Sequence, residues 1–205
     1  PQTAQSMIGP TKQWAQKTTD QMVEYEATQN VMRGNAETPG SFLSESFWVY
    51  ETGPEAAVKA LDAFEKRLTD EMKVLEANAH LCAMFEFPEK IEGSRKIINQ
   101  CFKDIKEARR LWEVADNVAC YIADSRDILW REINPDSLDE ECKYRMKLIG
   151  GLDKSVRWCP CYKVTIKNAK DFQNTVPLIS QLGSKAMRPR HWDALMKATG
   201  KEFTP

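Results

Sequence analysis

Residues 94–124, SRKIINQCFKDIKEARRLWEVADNVACYIAD, decide the fold class. Ile98, Cys101, Ile105, Ala108, Trp112, Ala115, Ala119 and Ile122 recur at alternating steps of three and four. That spacing puts one apolar stripe along one side of a helix, with charged residues on the other. A stripe of this kind packs against neighbouring helices at a shallow angle, as in coiled coils. The same pattern precedes it: Pro54 suits a first helical turn, and Ala57, Leu61, Phe64, Leu68, Met72, Leu75, Ala79 and Cys82 share a face before Pro88.

Downstream, Asn134-Pro135-Asp136-Ser137 supplies a turn with its own N-cap candidates. It opens a helix carrying Leu138, Cys142, Ile149, Leu152 and Val156 on one face, weakened at Gly150-Gly151, where a kink or early stop is expected. Trp158-Cys159-Pro160-Cys161 marks a break. A helix with Tyr162, Ala169, Phe172, Val176 and Ile179 on one side follows, bent at Pro177. A short helix from Pro189 to Thr199 closes on Gly200, the residue a helix C-terminus prefers. Upstream, residues 1–33 are polar, with Trp14, Met22, Tyr25 and Val31 as scattered anchors. GNAETPG at 34–40 breaks the chain, and Phe47-Trp48-Val49-Tyr50 is either extended or tucked against the bundle. The expected architecture is all-α, an elongated antiparallel helical bundle cut from a larger chain. Its two parts are a weakly patterned segment 1–53 and the bundle 54–205.

Composition narrows function by exclusion. The 205 residues carry 29 basic and 30 acidic side chains, no Lys/Arg block stands out, and nucleic-acid partners are not expected. A mean hydropathy of −0.54 and the lack of a long apolar run argue against a membrane span. Neither a phosphate-cradling GxxxxGK[ST] loop nor GxGxxG occurs. The two histidines, His80 and His191, lack metal-ligand spacing and read as packing or capping residues. Cys159-Pro160-Cys161 reads as two thiols at a helix junction. Cys82, Cys101, Cys120 and Cys142 read as core thiols of a reducing compartment. No catalytic residue, metal ligand or cofactor site is expected. The pairs Arg109-Arg110 and Arg188/Arg190 suit salt bridges to a partner helix. The six tryptophans suit anchors tying one helix to the next.

Residues 187–200, MRPRHWDALMKATG, resemble a signature of the dynein heavy-chain family in which His-Trp and a Leu-Met helix precede a Thr-Gly stop. The matching positions are Met187, Arg188, Arg190, His191, Trp192, Leu195, Met196, Thr199 and Gly200. Val176-Pro177-Leu178-Ile179 with Leu182, Met84 to Pro88, and Leu111-Trp112 with Trp130 add looser likeness. Asp139 to Lys143 and Leu152-Asp153-Lys154 resemble axonemal outer-arm chains of the beta type. The resemblance covers residues 54–205. It implies a non-catalytic segment of the second N-terminal heavy-chain region, where tail becomes linker. Its implied partners are the rest of the heavy chain, including the linker and the AAA+ ring, and other dynein heavy, intermediate or light chains. The implied location is the axoneme of a cilium or flagellum. Arg188 and Arg190 are then candidate contacts, and His191, Trp192, Trp112 and Trp130 structural anchors. The rival reading is a general helical interaction scaffold of the spectrin-like or tethering kind.

Overall fold

The computed structural model describes residues 2–128, 132–183 and 187–201, with side chains from residue 11 onward. Six α-helices form among these residues: α1 Gln2–Arg33, α2 Pro54–Met84, α3 Glu92–Asp127, α4 Pro135–Gly150, α5 Pro160–Leu182 and α6 Pro189–Thr199. No strand occurs among the described residues, so the fold is all-α. The chain divides into two compact units, residues 1–112 and 113–205, and the boundary falls inside α3 between Trp112 and Glu113. Phe42, Phe47 and Trp48, from the weakly patterned segment, bury their rings within the first unit.

In the first unit the α2 stripe packs as its spacing implies. Ala57, Leu61, Phe64, Leu68, Leu75 and Cys82 are buried, while Met72 and Ala79 are half-buried. Each fully buried Leu or Phe contributes about 1.5–3 kcal/mol, so this one face is a major part of the unit's stability. Pro54 occupies the first turn, where its missing N–H leaves no hydrogen bond unmade. The helix ends at Met84, before Pro88, with Glu86 in the left-handed conformation at φ 61°. Met22 of α1 joins Leu75, Cys82, Ile91 and Ile98 in one cluster.

The first helix differs from its sequence reading. It is one continuous element, yet Trp14 and Val31 are exposed at 63% and 68%, not anchors. Its covered face is Thr18, Met22, Tyr25, Gln29 and Met32, regular in spacing but half polar. Side-chain bonds supply what apolar area does not: Tyr25 donates its hydroxyl to the Glu71 carbonyl at 3.1 Å, and Gln29 Nε2 donates to Glu71 Oε2 at 2.9 Å. Arg33 pairs with the buried Asp104 of α3 at 3.0 Å, and Gln100 Nε2 donates to the other Asp104 oxygen at 2.8 Å. Glu26 lies so close to the first turn of α3 that a Cβ on Gly93 would stand 2.2 Å from its carboxylate. Glycine there lets a negative charge approach the positive end of the α3 dipole.

The Phe47-Trp48-Val49-Tyr50 run forms short 3-10 turns with its rings inward, which is the tucked alternative. Phe42, Phe47, Trp48 and Phe64 meet with ring centroids 4.9–6.3 Å apart. Trp48 Nε1 donates to the Phe42 carbonyl at 2.9 Å, so the buried indole leaves no polar atom unpaired.

In the second unit Asn134 caps α4, its side-chain oxygen accepting from the amides of Asp136 and Ser137. Gly150 ends α4, so the glycine pair acts as a stop. Leu152 and Val156 continue the buried face from outside the helix. Leu138 and Cys142 near the start of α4 cluster with Val176 late in α5, while Ile149 at its end clusters with Ala169. The two helices therefore run antiparallel. Val118 and Ile122 of α3 complete this core. Ala119 is exposed, and Val118 takes its place: a 3.6-residue period drifts off a strict three-four alternation over a long helix. Pro177 lies inside α5 beside buried Val176.

Candidate functional site

The signature helix α6 is built from local rules. Pro189 sits in its first turn. His191 accepts the Arg188 backbone N–H through Nδ1 at 3.2 Å, the reach-back half of a capping box. At the other end Gly200 adopts φ 65° and donates its N–H to the Met196 carbonyl at 2.9 Å. Thr199 Oγ1 donates to the Leu195 carbonyl at 2.8 Å. Trp192, Leu195 and Met196 are half-buried, whereas Arg188, Arg190, His191 and Thr199 are exposed. No residue of α6 is fully buried. An eleven-residue helix with one amphipathic side offers half-covered area at most.

Arg190 Nε lies 3.2 Å from His191 Nε2. A neutral imidazole has one acceptor nitrogen, so this contact and the cap compete for it. Among the described residues neither Arg188 nor Arg190 makes the expected ion pair across helices. Arg109 does: its guanidinium meets Asp62 of α2 at 2.7 Å and also Glu65. The hydrogen bond to Asp62 leads the effects that push its pKa up, so the cation is held. Trp112 is buried and donates its indole N–H to the Phe47 carbonyl at 2.7 Å, with Tyr50 stacked on it. Of the remaining tryptophans, Trp158 is exposed, and Trp130 lies outside the described residues.

The thiols are held neutral. Burial pushes Cys101 up to about 11, and burial also leads the upward shifts of Cys82, Cys142 and Cys159. A protonated thiol is a poor nucleophile and metal ligand. Cys159 is the N-cap of α5, its sulfur accepting the Tyr162 amide at 3.5 Å. Cys120 departs from its core reading: it is exposed, and the neighbouring Asp116 carboxylate raises its pKa. Among the described residues no three His, Cys, Asp or Glu side chains gather as a metal site, and no helix is long and apolar enough to cross a membrane.

The polar ties of α1 to Glu71 and Asp104 were missed by sequence reasoning. The only available signal was the spacing of Thr18, Met22, Tyr25, Gln29 and Met32, which hydropathy alone does not mark.

Comparison with known proteins addresses the signature directly. A family model described as dynein heavy chain, N-terminal region 2, matches residues 98–205, which include all of α6. The dynein alpha chain of the flagellar outer arm of Chlamydomonas reinhardtii is 32% identical over 162 residues, 79% of this chain and 4% of that protein. Dynein axonemal heavy chain 11 of Sus scrofa is 37% identical over 109 residues, 53% of this chain and 2% of that protein. The dynein beta chain of the Chlamydomonas reinhardtii flagellar outer arm is 33% identical over 106 residues, 52% and 2% respectively. The chain thus spans only a few per cent of the length of these relatives. The match is to an N-terminal region and not to the ATPase domain. With its His-Trp helix inside the matched span, the chain belongs to the dynein heavy-chain family, in its second N-terminal region.

Proposed function

We propose that this chain is a mechanical and assembly segment of an axonemal dynein heavy chain, passing motion between the motor ring and the tail. The single observation that carries the reading is the match to N-terminal region 2, together with relatives named for flagellar outer arms and axonemes. The helices suit the role physically. Apolar stripes packed to crystal-like density resist bending, because sliding one helix on another opens voids. No cofactor is proposed for this segment. Its partners would be the rest of the heavy chain and neighbouring heavy, intermediate or light chains in a cilium or flagellum.

The test is Trp192→Ala in the full heavy chain. Trp192 is half-buried on a short helix whose hold depends on tertiary contact. Microtubule gliding should slow while basal ATPase turnover stays largely intact. Loss of both in equal proportion, or of neither, would remove the coupling role.

A further inference from the structure

The antiparallel α4–α5 pair concentrates charge in a way that whole-chain composition hides. Residues 143–170 carry eight basic side chains, Lys143, Arg145, Lys147, Lys154, Arg157, Lys163, Lys167 and Lys170, against the single acid Asp153, in a chain of net charge −1. Three of the eight have local partners. Lys143 pairs with Asp139, Arg145 with Glu141, and Arg157 donates to the carbonyls of Gly150 and Leu152 at 3.0 and 2.9 Å. The other five, Lys147, Lys154, Lys163, Lys167 and Lys170, are exposed and form no salt bridge within 4 Å among the described residues; Asp153 acts on Lys154 over a longer distance, and exposed Asp171 follows Lys170.

Helical geometry puts these lysines where a partner could reach them. Lys163, Lys167 and Lys170 are spaced at four and three residues, on the side of α5 opposite the buried Cys161, Thr165 and Ala169. They span about 10 Å along the axis at the usual rise per residue. Lys147 sits in the last turn of α4, and Lys154 on the connection between the helices. Trp158, 37% exposed, adds an apolar surface on the same connection.

A second observation separates this surface from ordinary solvated lysine. The first turn of α5 carries no acid, and Lys163 lies close behind it. Cations near a helix N-terminus oppose the dipole, which favours negative charge there. Within that first turn no carboxylate offsets it. The helix end and the lysines add to one positive field, which an external anion would relieve.

We propose that the α4–α5 hairpin end is a docking surface for an acidic protein segment, rich in Asp and Glu. The five unpaired lysines supply the charge, and Trp158 the apolar contact. A protein partner fits better than a nucleic acid. The lysines are point charges on one ridge and one connection, without the Arg forks that read phosphate bidentately. The proposal uses no residue of α6 and does not depend on the coupling role.

The experiment titrates the 205-residue chain with fluorescent decaglutamate, with an oligothymidylate of equal charge and with phosphatidylserine vesicles as alternative probes. Decaglutamate should bind, weaken with salt, and lose about tenfold in affinity on K163E/K167E/K170E. The milder K163Q/K167Q/K170Q should show a smaller loss with helicity unchanged. Reversal of exposed lysines elsewhere, K59E/K66E/K106E, should leave binding near the original. Carbodiimide should link the peptide to the hairpin lysines. Absence of saturable binding, equal loss in the control triple, or tighter binding of the oligothymidylate or the vesicles would each overturn the proposal.

Discussion

Helices α3 and α6 carry the two most legible pieces of this sequence, and they behave as opposites. The stripe of α3 buries Ile98, Cys101, Ile105, Ala108, Leu111 and Trp112 almost completely, and its long-range bonds reach Arg33, Asp62 and the Phe47 carbonyl. The signature helix α6 has no fully buried residue, and its caps are built from Arg188, His191, Met196 and Gly200 of the same short stretch. The most specific family residues, on α6, are thus less buried than the α3 stripe.

Replacing one tryptophan on each helix should expose the contrast most strongly. Trp112→Ala removes a buried ring and leaves the Phe47 carbonyl unpaired, at a cost of about 3–5 kcal/mol. Trp192→Ala, half-buried at the start, should cost about 1–2 kcal/mol. Denaturant midpoints of the two variants settle the order. Equal losses would mean that α6 is as firmly packed as α3.

A smaller effect should appear on raising pH. Burial, with help from the Glu71 charge, pushes the Tyr25 hydroxyl up to about 12 from its usual 10. The folded state therefore holds its proton more tightly than the unfolded chain. The contribution is complete below pH about 10 and lost as pH rises through about 12. Urea titrations across that window should show stability falling, with a shallower slope in Tyr25→Phe. An unchanged slope would mean that Tyr25 does not bind α1 to α2 through Glu71.

The smallest effect concerns the thiols. None of the six cysteines forms a disulfide, so reductant should leave the melting temperature unchanged. A maleimide should label exposed Cys120 first, slowed by the Asp116 carboxylate that raises its pKa. Labelling of Cys101 or Cys159 before Cys120 would contradict their burial.

Where apolar residues repeat at helical spacing, periodicity alone located the elements. Helices α2, α3 and α6 lie within a few residues of where stripes, Pro54, Pro189 and Gly200 put them, because burying a stripe and capping an end are local in sequence. Asn134 was legible as a cap for the same reason. The family was legible from MRPRHWDALMKATG, since a combination of common residues becomes specific when the spacing is kept.

Tertiary structure alone decided the rest. It made Trp14 and Val31 exposed and Gln29 buried, because α1 is fastened by hydrogen bonds whose partners, Glu71 and Asp104, lie more than forty residues away. It also brought the last turn of α4, with Lys147, and the start of α5, with Lys163, to the same end of an antiparallel pair. A linear scan for basic blocks sees only a balanced chain, whereas the antiparallel return of α5 along α4 sums their fields in space.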